Sequence, residues 1–369
     1  MINNNLADKI NDLTRKNLPF AFYYHPDQPE PHLIAQTNHD LIRVQSCKEI
    51  SGASGFILAP FIPHKETPVV LLRPDIYLTD TLSVLALNTS TLPYYSPFNH
   101  HDALTQAERG DYISTVEELI TQIKQKKMEK VVLSRIISVP FPSEYSPGVF
   151  VQSLKERMGS AFVYFLHLPE IGTWMGATPE VLFTTQKGYW KTTSIAGTLP
   201  ASAISAEIPW GHKEQREQEI VTEFIEEQLQ AFGIQNYEKT GPYTVYAGQV
   251  AHLKTDIEFT ASENHEERER FINALHPTPA VCGTPREKAM ACIESYERHK
   301  REYYCGFLGE WNLQGETKLH VNLRCMKISG QNAFLFVGGG ITADSSPEKE
   351  WEETDQKAQT LLSLLRPCL

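Results

Sequence analysis

The C-terminal part of the sequence contains an apolar strand that runs directly into three consecutive glycines. Residues 334–337 read Phe-Leu-Phe-Val, and Gly338, Gly339 and Gly340 follow them. Glycines lack side chains, so they let a backbone come close to a bound group and leave bare N–H donors accessible. We expect a turn and then a helix after this run. This stretch therefore predicts a strand–turn–helix unit with open backbone at its centre.

The predicted C-terminal helix carries charged residues in its first turns. Ser346 suits the N-cap position, and Pro347 suits the first helical position. Glu350 and Glu353 are spaced i and i+3, and Lys357 follows at i+4, so the three share one face. That face continues through two leucines, and carboxylates above an apolar stripe are costly unless a cation meets them. On this helix alone, a solvated and charged helix end is an open alternative.

A second predicted helix, at residues 211–232, repeats this arrangement. Glu214 and Glu217 are spaced i and i+3, and they precede Val221 and Phe224 on one apolar stripe. Two helices that each place two glutamates at the edge of the core indicate a shared cation. Because all the candidate ligand atoms are oxygens, the expected ion is Mg²⁺.

Two other charged residues stand next to apolar strands. Lys130 begins the strand predicted at residues 130–139, where the common alternative is a lysine that extends to water. Glu180 follows a proline between two hydrophobic strands, and such a carboxyl is a candidate for a raised pKa, which a general acid needs. The alternative for Glu180 is a turn residue in water.

Composition and charge exclude several classes of protein. The net charge of −11 and the pI near 5.7 argue against nucleic acid as a partner. The six cysteines are scattered without a C-x-x-C pair, which is typical of reduced thiols and makes zinc an unexpected ligand. No signal pattern or run of transmembrane length is present, so we expect a cytoplasmic protein without membrane contact. The pair His100 and His101 is interpreted as part of a surface loop.

The order of elements predicts the fold class. Predicted helices span residues 113–128, 147–158, 211–232, 266–275 and 285–299, and predicted strands span 130–139, 161–168, 189–195, 243–250, 303–311, 318–328 and 333–338. Strands in a meander with helices between them favour an α+β fold, a large antiparallel two-sheet sandwich with helices outside. The sequence G-x-x-x-x-G-K-[ST] is absent, so the glycines are not a phosphate loop.

The domain organisation follows from the same order. Residues 1–110 are a strand-rich lead-in, with β-type runs at 21–24, 55–61 and 68–72, and we expect them to join the same fold. Residues 111–369 form the catalytic region.

Seven motifs give the sequence a resemblance to the chorismate-utilising enzyme family, which includes isochorismate, salicylate, anthranilate and aminodeoxychorismate synthases. The motifs lie at residues 130–135, 176–180, 195–198, 213–219, 275–283, 323–325 and 338–354. They run in the family's order from about residue 110 to the end of the chain. The first 110 residues match loosely, and the tryptophan-binding segment typical of anthranilate synthases is not apparent there.

The resemblance implies which reaction to expect. Isochorismate and salicylate synthases carry a lysine at the position of Lys130, and it activates water for attack at C2 of chorismate. Aminodeoxychorismate synthases place a nucleophilic lysine where this chain has Ala196. The expected reaction is therefore conversion of chorismate to isochorismate, with Glu180 protonating the departing C4 hydroxyl. In this reaction Lys130 must be neutral, so its pKa must fall from about 10.4 toward roughly 7–8.

The resemblance also implies a set of binding residues. Mg²⁺ would be held directly by Glu217 and Glu353, with Glu214 and Glu350 as outer or water-mediated partners, and would hold the ring carboxylate of chorismate. The residues implied for the enolpyruvyl carboxylate are Tyr304, Arg324, Lys357 and the amides of Gly338, Gly339 and Gly340. Gly197, Thr198 and His252 are expected to line the ring site.

Three alternatives remain open in the sequence. A salicylate synthase would form isochorismate and then eliminate pyruvate with the same residues. An anthranilate synthase component is disfavoured by Lys130 and would need an amidotransferase subunit, which we do not expect here. A non-catalytic chorismate-binding protein is disfavoured because a sensor needs neither an acid nor a base.

Overall fold

The structure is a computed structural model that describes residues 3–97, 104–141, 146–204, 210–247, 250–262 and 264–365; His100 and His101 lie outside these ranges. The helices in the described residues are α1 (Asn4–Arg15), α2 (Thr81–Ala86), α3 (Arg109–Lys124), α4 (Pro147–Arg157), α5 (His212–Ala231), α6 (His265–Leu275), α7 (Arg286–Tyr296) and α8 (Pro347–Leu365). Within those residues, no helix combines the length and the apolar character needed to cross a bilayer.

Antiparallel strands form the sheets of the fold. The strands are β1 (Phe20–Tyr24), β2 (His32–Ala35), β3 (Ile42–Val44), β4 (Gly55–Ala59), β5 (Val69–Leu72), β6 (Ile76–Leu78), β7 (Lys130–Pro140), β8 (Phe162–Leu168), β9 (Gly172–Thr178), β10 (Val181–Gln186), β11 (Tyr189–Pro200), β12 (Glu238–Ala247), β13 (Val250–Thr260), β14 (Gly283–Thr284), β15 (Phe307–Leu313), β16 (Glu316–Val321), β17 (Cys325–Ser329) and β18 (Asn332–Ile341). They form two nine-stranded sheets, in the orders β14-β7-β18-β17-β9-β8-β1-β2-β6 and β12-β13-β11-β10-β16-β15-β4-β5-β3. The predicted α+β two-sheet sandwich is confirmed.

Two apolar layers hold the first sheet in place. Along β1, Ala21 and Tyr23 pack into the core between the sheets, whereas Phe20 and Phe22 pack into a second core beneath α1, α4 and α8. Side chains alternate between the two faces of a strand, so a strand covered on both faces reads as a continuous apolar run. This explains why β1 is buried along its whole length.

The N-terminal strands contribute to both sheets. β1 pairs with β8 in the first sheet, and β4 pairs with β15 in the second. Each pairing joins the first 60 residues to strands more than a hundred positions later in the chain.

A buried aromatic pair fixes β18, which carries the glycine run. Trp174 on β9 is fully buried and stacks on Phe336 of β18, with ring centroids 5.3 Å apart. Removing a fully buried tryptophan side chain typically costs about 3–5 kcal/mol of stability. The pair therefore ties the strand before the glycines to the middle of the sheet.

Several predicted boundaries are wrong, and the strand around the glycines is the most informative of them. β18 does not end at Gly338 but continues to Ile341, with Gly340 opposite Val132 of β7. Sequence patterns under-predict such strands because glycine has a low β-propensity, whereas the pairing with β7 supplies the missing stability.

Two other predicted strands are each divided in the structure. The prediction at 318–328 covers β16 and β17, which are separated at Asn322, Leu323 and Arg324. Arg324 has a φ of 48°, a left-handed conformation that ends the strand although the apolar pattern continues. The prediction at 243–250 joins the end of β12 to the start of β13, and the residues between them, 248 and 249, lie outside the described part.

The strand predicted at 189–195 is longer than expected. β11 continues to Pro200, because a bulge between Ala196 and Thr198 absorbs Gly197, which has a φ of 70°. The helix expected at 285–299 ends early, at Tyr296.

Candidate active site

A pocket lined by both sheets collects most of the predicted site residues. The predicted residues that line it are Glu180, Thr198, Glu217, His252, Tyr304, Arg324, Gly338, Gly339, Gly340 and Lys357. β18 supplies the glycines from the first sheet, and β11 and β13 supply Thr198 and His252 from the second. The helices α5 and α8 supply Glu217 and Lys357.

Lys130 is fully buried at the start of β7, beside the pocket. Its Nζ lies 2.9 Å from Oε1 of Glu217, and the contact is an ion pair without good hydrogen-bond geometry. Burial by itself would raise the pKa of the Glu217 carboxyl, but Lys130, together with Lys213 and Lys357, holds that pKa below its usual value. Glu217 is therefore a carboxylate at neutral pH, and the Nζ atom of the buried Lys130 lies directly against it.

Glu180 lies in the short connection between β9 and β10 and is 4% exposed. Burial raises the pKa of its carboxyl to about 8, although Lys130 and Lys357 act in the opposite direction. A carboxyl with this pKa is mostly protonated at pH 7 and can donate a proton. The direction of the shift is the one that the sequence predicts for a general acid.

His252 on β13 connects Arg324 to the bulge in β11. Arg324 donates from Nη2 to His252 Nε2 at 3.1 Å, so Nδ1 of the neutral ring carries the proton and donates to the Gly197 carbonyl at 3.0 Å. Thr198 Oγ1 lies 3.3 Å from the same Nδ1. Burial, aided by the nearby Arg324, lowers the pKa of His252 to about 3, so the ring is neutral at pH 7.

Arg324 is a buried cation at the pocket wall. It is 7% exposed, and burial lowers its pKa to about 10, which still leaves the guanidinium charged at neutral pH. It forms no salt bridge with a carboxylate among the described residues. A buried guanidinium whose side-chain partner in the described residues is a neutral imidazole is suited to bind an anion from the pocket.

The glycine run leaves room for other groups. A Cβ on Gly338 would lie 2.9 Å from the Tyr304 hydroxyl, and Lys357 donates to the Gly338 carbonyl at 3.0 Å. β17 pairs with β18 only as far as Phe336, whereas β7 pairs with it to Ile341. One edge of the glycine run therefore has no strand neighbour within the described residues, which leaves backbone amides for a ligand.

Three of the four predicted metal ligands are each paired with a lysine. Lys213 Nζ lies 2.8 Å from Glu350 Oε1, and Lys357 Nζ lies 2.6 Å from Glu353 Oε1, in addition to the pair at Glu217. Three lysines, and not Lys357 alone, therefore lie beside these glutamates. Burial and the neighbouring Glu353 raise the pKa of the Glu350 carboxyl, and Lys213 opposes that rise.

The carboxylates and glycines nevertheless fit a cation. Glu350 is 1% exposed, and its Oε2 is buried without a hydrogen-bond partner in the described part of the chain. A Cβ on Gly340 would lie 2.4 Å from Glu217 Oε1, and one on Gly339 would lie 3.1 Å from Glu350 Oε2. Oxygen atoms that crowd a side-chain-free backbone, one of them orphaned, are a donor set that suits Mg²⁺.

The fourth predicted ligand, Glu214, lies in the first turn of α5. Its carboxylate lies against Gly211 at the start of α5, where a Cβ would be 2.5 Å from Glu214 Oε2. No three of the predicted glutamates lie within 4.8 Å of one another among the residues described. The helical spacing placed Glu214 and Glu217 on one face but did not fix the side-chain direction.

Lys213 is a site residue that the sequence reasoning did not assign. Glu350, Glu353 and Glu217 all raise its pKa, although burial opposes them. The available signal was its spacing, since Lys213 lies four residues before Glu217 and therefore on the same helical face.

Comparisons with known proteins identify the family of the chain. The family model described as chorismate binding enzyme matches residues 75–366. The vibriobactin-specific isochorismate synthase of Vibrio cholerae is 29% identical over 89% of this chain and 84% of its own length. The isochorismate synthase MenF of Escherichia coli is 31% identical over 92% of this chain and 82% of its own length.

Solved structures share the fold. The crystal structure of MenF, the menaquinone-specific isochorismate synthase of Escherichia coli, superposes with a TM-score of 0.78 at 23% identity, over 98% of this chain and 90% of that one. A putative 2,3-dihydroxybenzoate-specific isochorismate synthase from Bacillus anthracis gives 0.77 at 22% identity, over 98% and 99%. The two-sheet sandwich, the seven ordered motifs and the family match coincide, and the chain belongs to the chorismate-binding enzymes.

Proposed function

We propose that this protein is a Mg²⁺-dependent isochorismate synthase that converts chorismate to isochorismate. One observation carries the proposal: a buried carboxyl with a pKa of about 8, Glu180, and a buried lysine, Lys130, flank one pocket. A proton donor and a proton acceptor in one enclosed site are what an exchange of water for a hydroxyl group requires. Relatives over most of the chain are named as isochorismate synthases.

The pocket has cationic groups for a substrate with two carboxylates. Arg324 forms no salt bridge within the described residues, and Lys357 lies next to the glycine run. We assign the enolpyruvyl carboxylate to these groups, Tyr304 and the free amides of β18. His252 holds Arg324 in place, and with Gly197 and Thr198 it lines the ring site.

The proton transfers follow from the positions of the acid and the base. Lys130 accepts a proton from water as the oxygen forms a bond to C2. The ring double bonds shift, the C4–O bond breaks, and Glu180 donates its proton to the leaving hydroxyl, which departs as water. One water enters and one leaves, so the product is an isomer of the substrate.

The carboxylates on α5 and α8 are the groups that would hold Mg²⁺. Glu217 and Glu353 are the direct ligands in this proposal, and Glu350, with its orphaned oxygen, and Glu214 are outer partners. When bound, Mg²⁺ would neutralise and fix the ring carboxylate of chorismate. Lys130 must lose its contact with Glu217 before it acts as a base, and a cation on Glu217 competes for that carboxylate.

The proposal extends to partners and location. Water is the nucleophile, so no amidotransferase subunit, nucleic acid or membrane is needed. The five cysteines that the structure describes are free and buried, which supports a reducing cytoplasmic environment. Residues 1–110 and 111–369 would act as one catalytic unit, because strands of the first part pair into both sheets.

Product analysis tests the proposal. Purified protein is incubated with chorismate and Mg²⁺, and chorismate, isochorismate, salicylate and anthranilate are separated by chromatography. We expect isochorismate alone. Salicylate in the same reaction would reassign the protein as a salicylate synthase, and unchanged chorismate with measurable binding would leave a non-catalytic chorismate-binding protein.

A further inference from the structure

A cluster of histidine and glutamate side chains lies outside the pocket, between the two sheets. His25 follows β1, His32 begins β2, and Glu310 lies on β15 of the other sheet. One nitrogen of each histidine and one oxygen of the glutamate all lie within 4.8 Å of one another. The proposed function uses none of the three residues.

The distances within this cluster fit a small ion with three protein ligands. His25 Nε2 lies 3.0 Å and His32 Nδ1 lies 3.7 Å from Oε1 of Glu310. Ligand atoms about 2.0–2.2 Å from a tetrahedral ion lie roughly 3.3–3.6 Å from each other, close to these two distances. The two imidazole rings meet edge-on, with centroids 4.8 Å apart, so they do not block each other's nitrogens.

His32 has a nitrogen that the protein does not otherwise use. Its Nδ1 is buried and has no hydrogen-bond partner among the described residues. Buried polar atoms are normally satisfied, so an orphaned one that points toward a carboxylate needs an explanation.

Neighbouring side chains orient the ligands of this cluster, and one of the ligands is partly open to solvent. The Tyr23 hydroxyl donates to Glu310 Oε1 at 2.8 Å, and the Tyr23 ring stacks on His32. Such outer contacts orient metal ligands. His32 keeps 14% of its side chain exposed, which gives an ion a path from solvent. Lys318 Nζ, 3.4 Å from Glu310 Oε2, is the main opposing charge.

We propose that His25, His32 and Glu310 form a second metal site, distinct from the glutamates of the pocket, that binds Zn²⁺ or a similar transition-metal ion and clamps β1 and β2 to β15. Two imidazoles and one carboxylate select such ions, whereas Mg²⁺ prefers an all-oxygen site. The ion would join strands of different sheets, so its expected effect is on stability.

The test measures Zn²⁺ binding by titration calorimetry on metal-stripped protein, with excess Mg²⁺ present to occupy the pocket. We expect one Zn²⁺ per chain and a higher Tm with Zn²⁺. His32→Phe keeps the stacking on Tyr23 but removes the ligand atom, so it should weaken Zn²⁺ binding by at least about tenfold. Its Tm in EDTA should stay close to that of the wild type, because His32 Nδ1 makes no hydrogen bond within the described part of the chain.

Two control variants locate the bound ion. His64→Ala removes an exposed histidine and should leave Zn²⁺ binding and the Tm shift unchanged. Glu353→Gln alters the pocket and should also retain the Zn²⁺ site. Wild-type protein that binds no Zn²⁺, or a His32→Phe variant that binds it as tightly as the wild type, would overturn the proposal.

Discussion

Three lysine side chains lie against three of the glutamates that were expected to bind a metal ion. Lys130, Lys213 and Lys357 each lie within 2.9 Å of a carboxylate oxygen. Uncompensated buried carboxylates would cost several kcal/mol each, so these cations stabilise the protein before any ion binds. At the scale of single residues, the site is an array of ion pairs that a divalent ion must rearrange.

Substitution of Lys130 tests its role as the base. Lys130→Gln should abolish isochorismate formation because an amide cannot accept the proton of water. Lys130→Arg keeps a cation for Glu217 but stays protonated, so it should fail as well. Binding of chorismate should persist in Lys130→Arg, measured by calorimetry.

Labelling and amine competition complete the test of Lys130. Wild-type protein in ¹⁸O-labelled water should place the label at C2 of isochorismate, and added ammonium should give no aminated product. Full activity in Lys130→Gln, or anthranilate in the ammonium reaction, would contradict the assignment.

Substitution of Glu180 tests the acid. Glu180→Gln keeps the shape of the side chain but cannot donate a proton, and the loss of a general acid typically lowers kcat by ~10²–10⁴-fold. Glu170→Gln, a partly exposed carboxylate outside the pocket, serves as the matched control and should leave kcat unchanged. A kcat for Glu180→Gln within about threefold of the wild type, well short of that range, would make Glu180 a structural residue.

The raised pKa of Glu180 also predicts two pH dependences. Activity should fall as pH rises through about 8, because the carboxyl then loses the proton that it must donate. The folded state binds this proton more tightly than the unfolded chain, in which the carboxyl keeps the ordinary glutamate pKa of 4.5. The free energy of unfolding should therefore decline between pH 4.5 and 8. In urea titrations at several pH values, Glu180→Gln should lack this part of the decline. An equally steep fall of the unfolding free energy with pH in the variant and the wild type would contradict the assignment.

At the scale of elements, the glycines of β18 lie against glutamates of both α5 and α8. A Cβ on Gly340 would lie 2.4 Å from Glu217 Oε1 of α5 and 2.8 Å from Lys130 Cε of β7. The close packing of α5, β7 and β18 at this point therefore requires a glycine at position 340.

Gly340→Ala tests this requirement. We expect the added methyl group to displace the Glu217 carboxylate or the Lys130 side chain, and to lower kcat/KM at least about tenfold, the equivalent of 1.4 kcal/mol. Gly110→Ala on α3 is the matched control, because a Cβ there meets nothing within 4 Å. It should leave steady-state kinetics unchanged. Wild-type kinetics in Gly340→Ala would show that the site tolerates a side chain at this position.

At the scale of the whole molecule, the pocket exists only where the two sheets and two helices meet. α5 packs on β11 and β13 of the second sheet, and α8 packs on β18 of the first. A metal ion shared by these helices would therefore link the two halves of the sandwich.

Removal of metal tests this link. Activity should be absent in EDTA and restored by Mg²⁺. Glu353→Gln should be nearly inactive although folded, as judged by circular dichroism. Full turnover in EDTA would rule out the proposed metal dependence.

The sequence by itself determined the fold class, the family and the residue types of the pocket. Strand and helix periodicities, the glycine run and the i, i+3 glutamates are local patterns, and physical rules connect them to local structure. Burial of Glu180 between two apolar strands was predictable for the same reason, and its pKa of about 8 follows from that burial.

Only the tertiary structure decided which charges meet. Lys213 and Glu350 pair across 137 positions of the chain, and Arg324 and His252 across 72, so no local pattern contains either contact. The backbone break at Arg324 and the position of the Glu214 carboxylate beside Gly211 were hidden for a related reason. Apolar periodicity reports which face is buried, whereas side-chain direction and backbone conformation at a given residue depend on neighbours that the fold brings together.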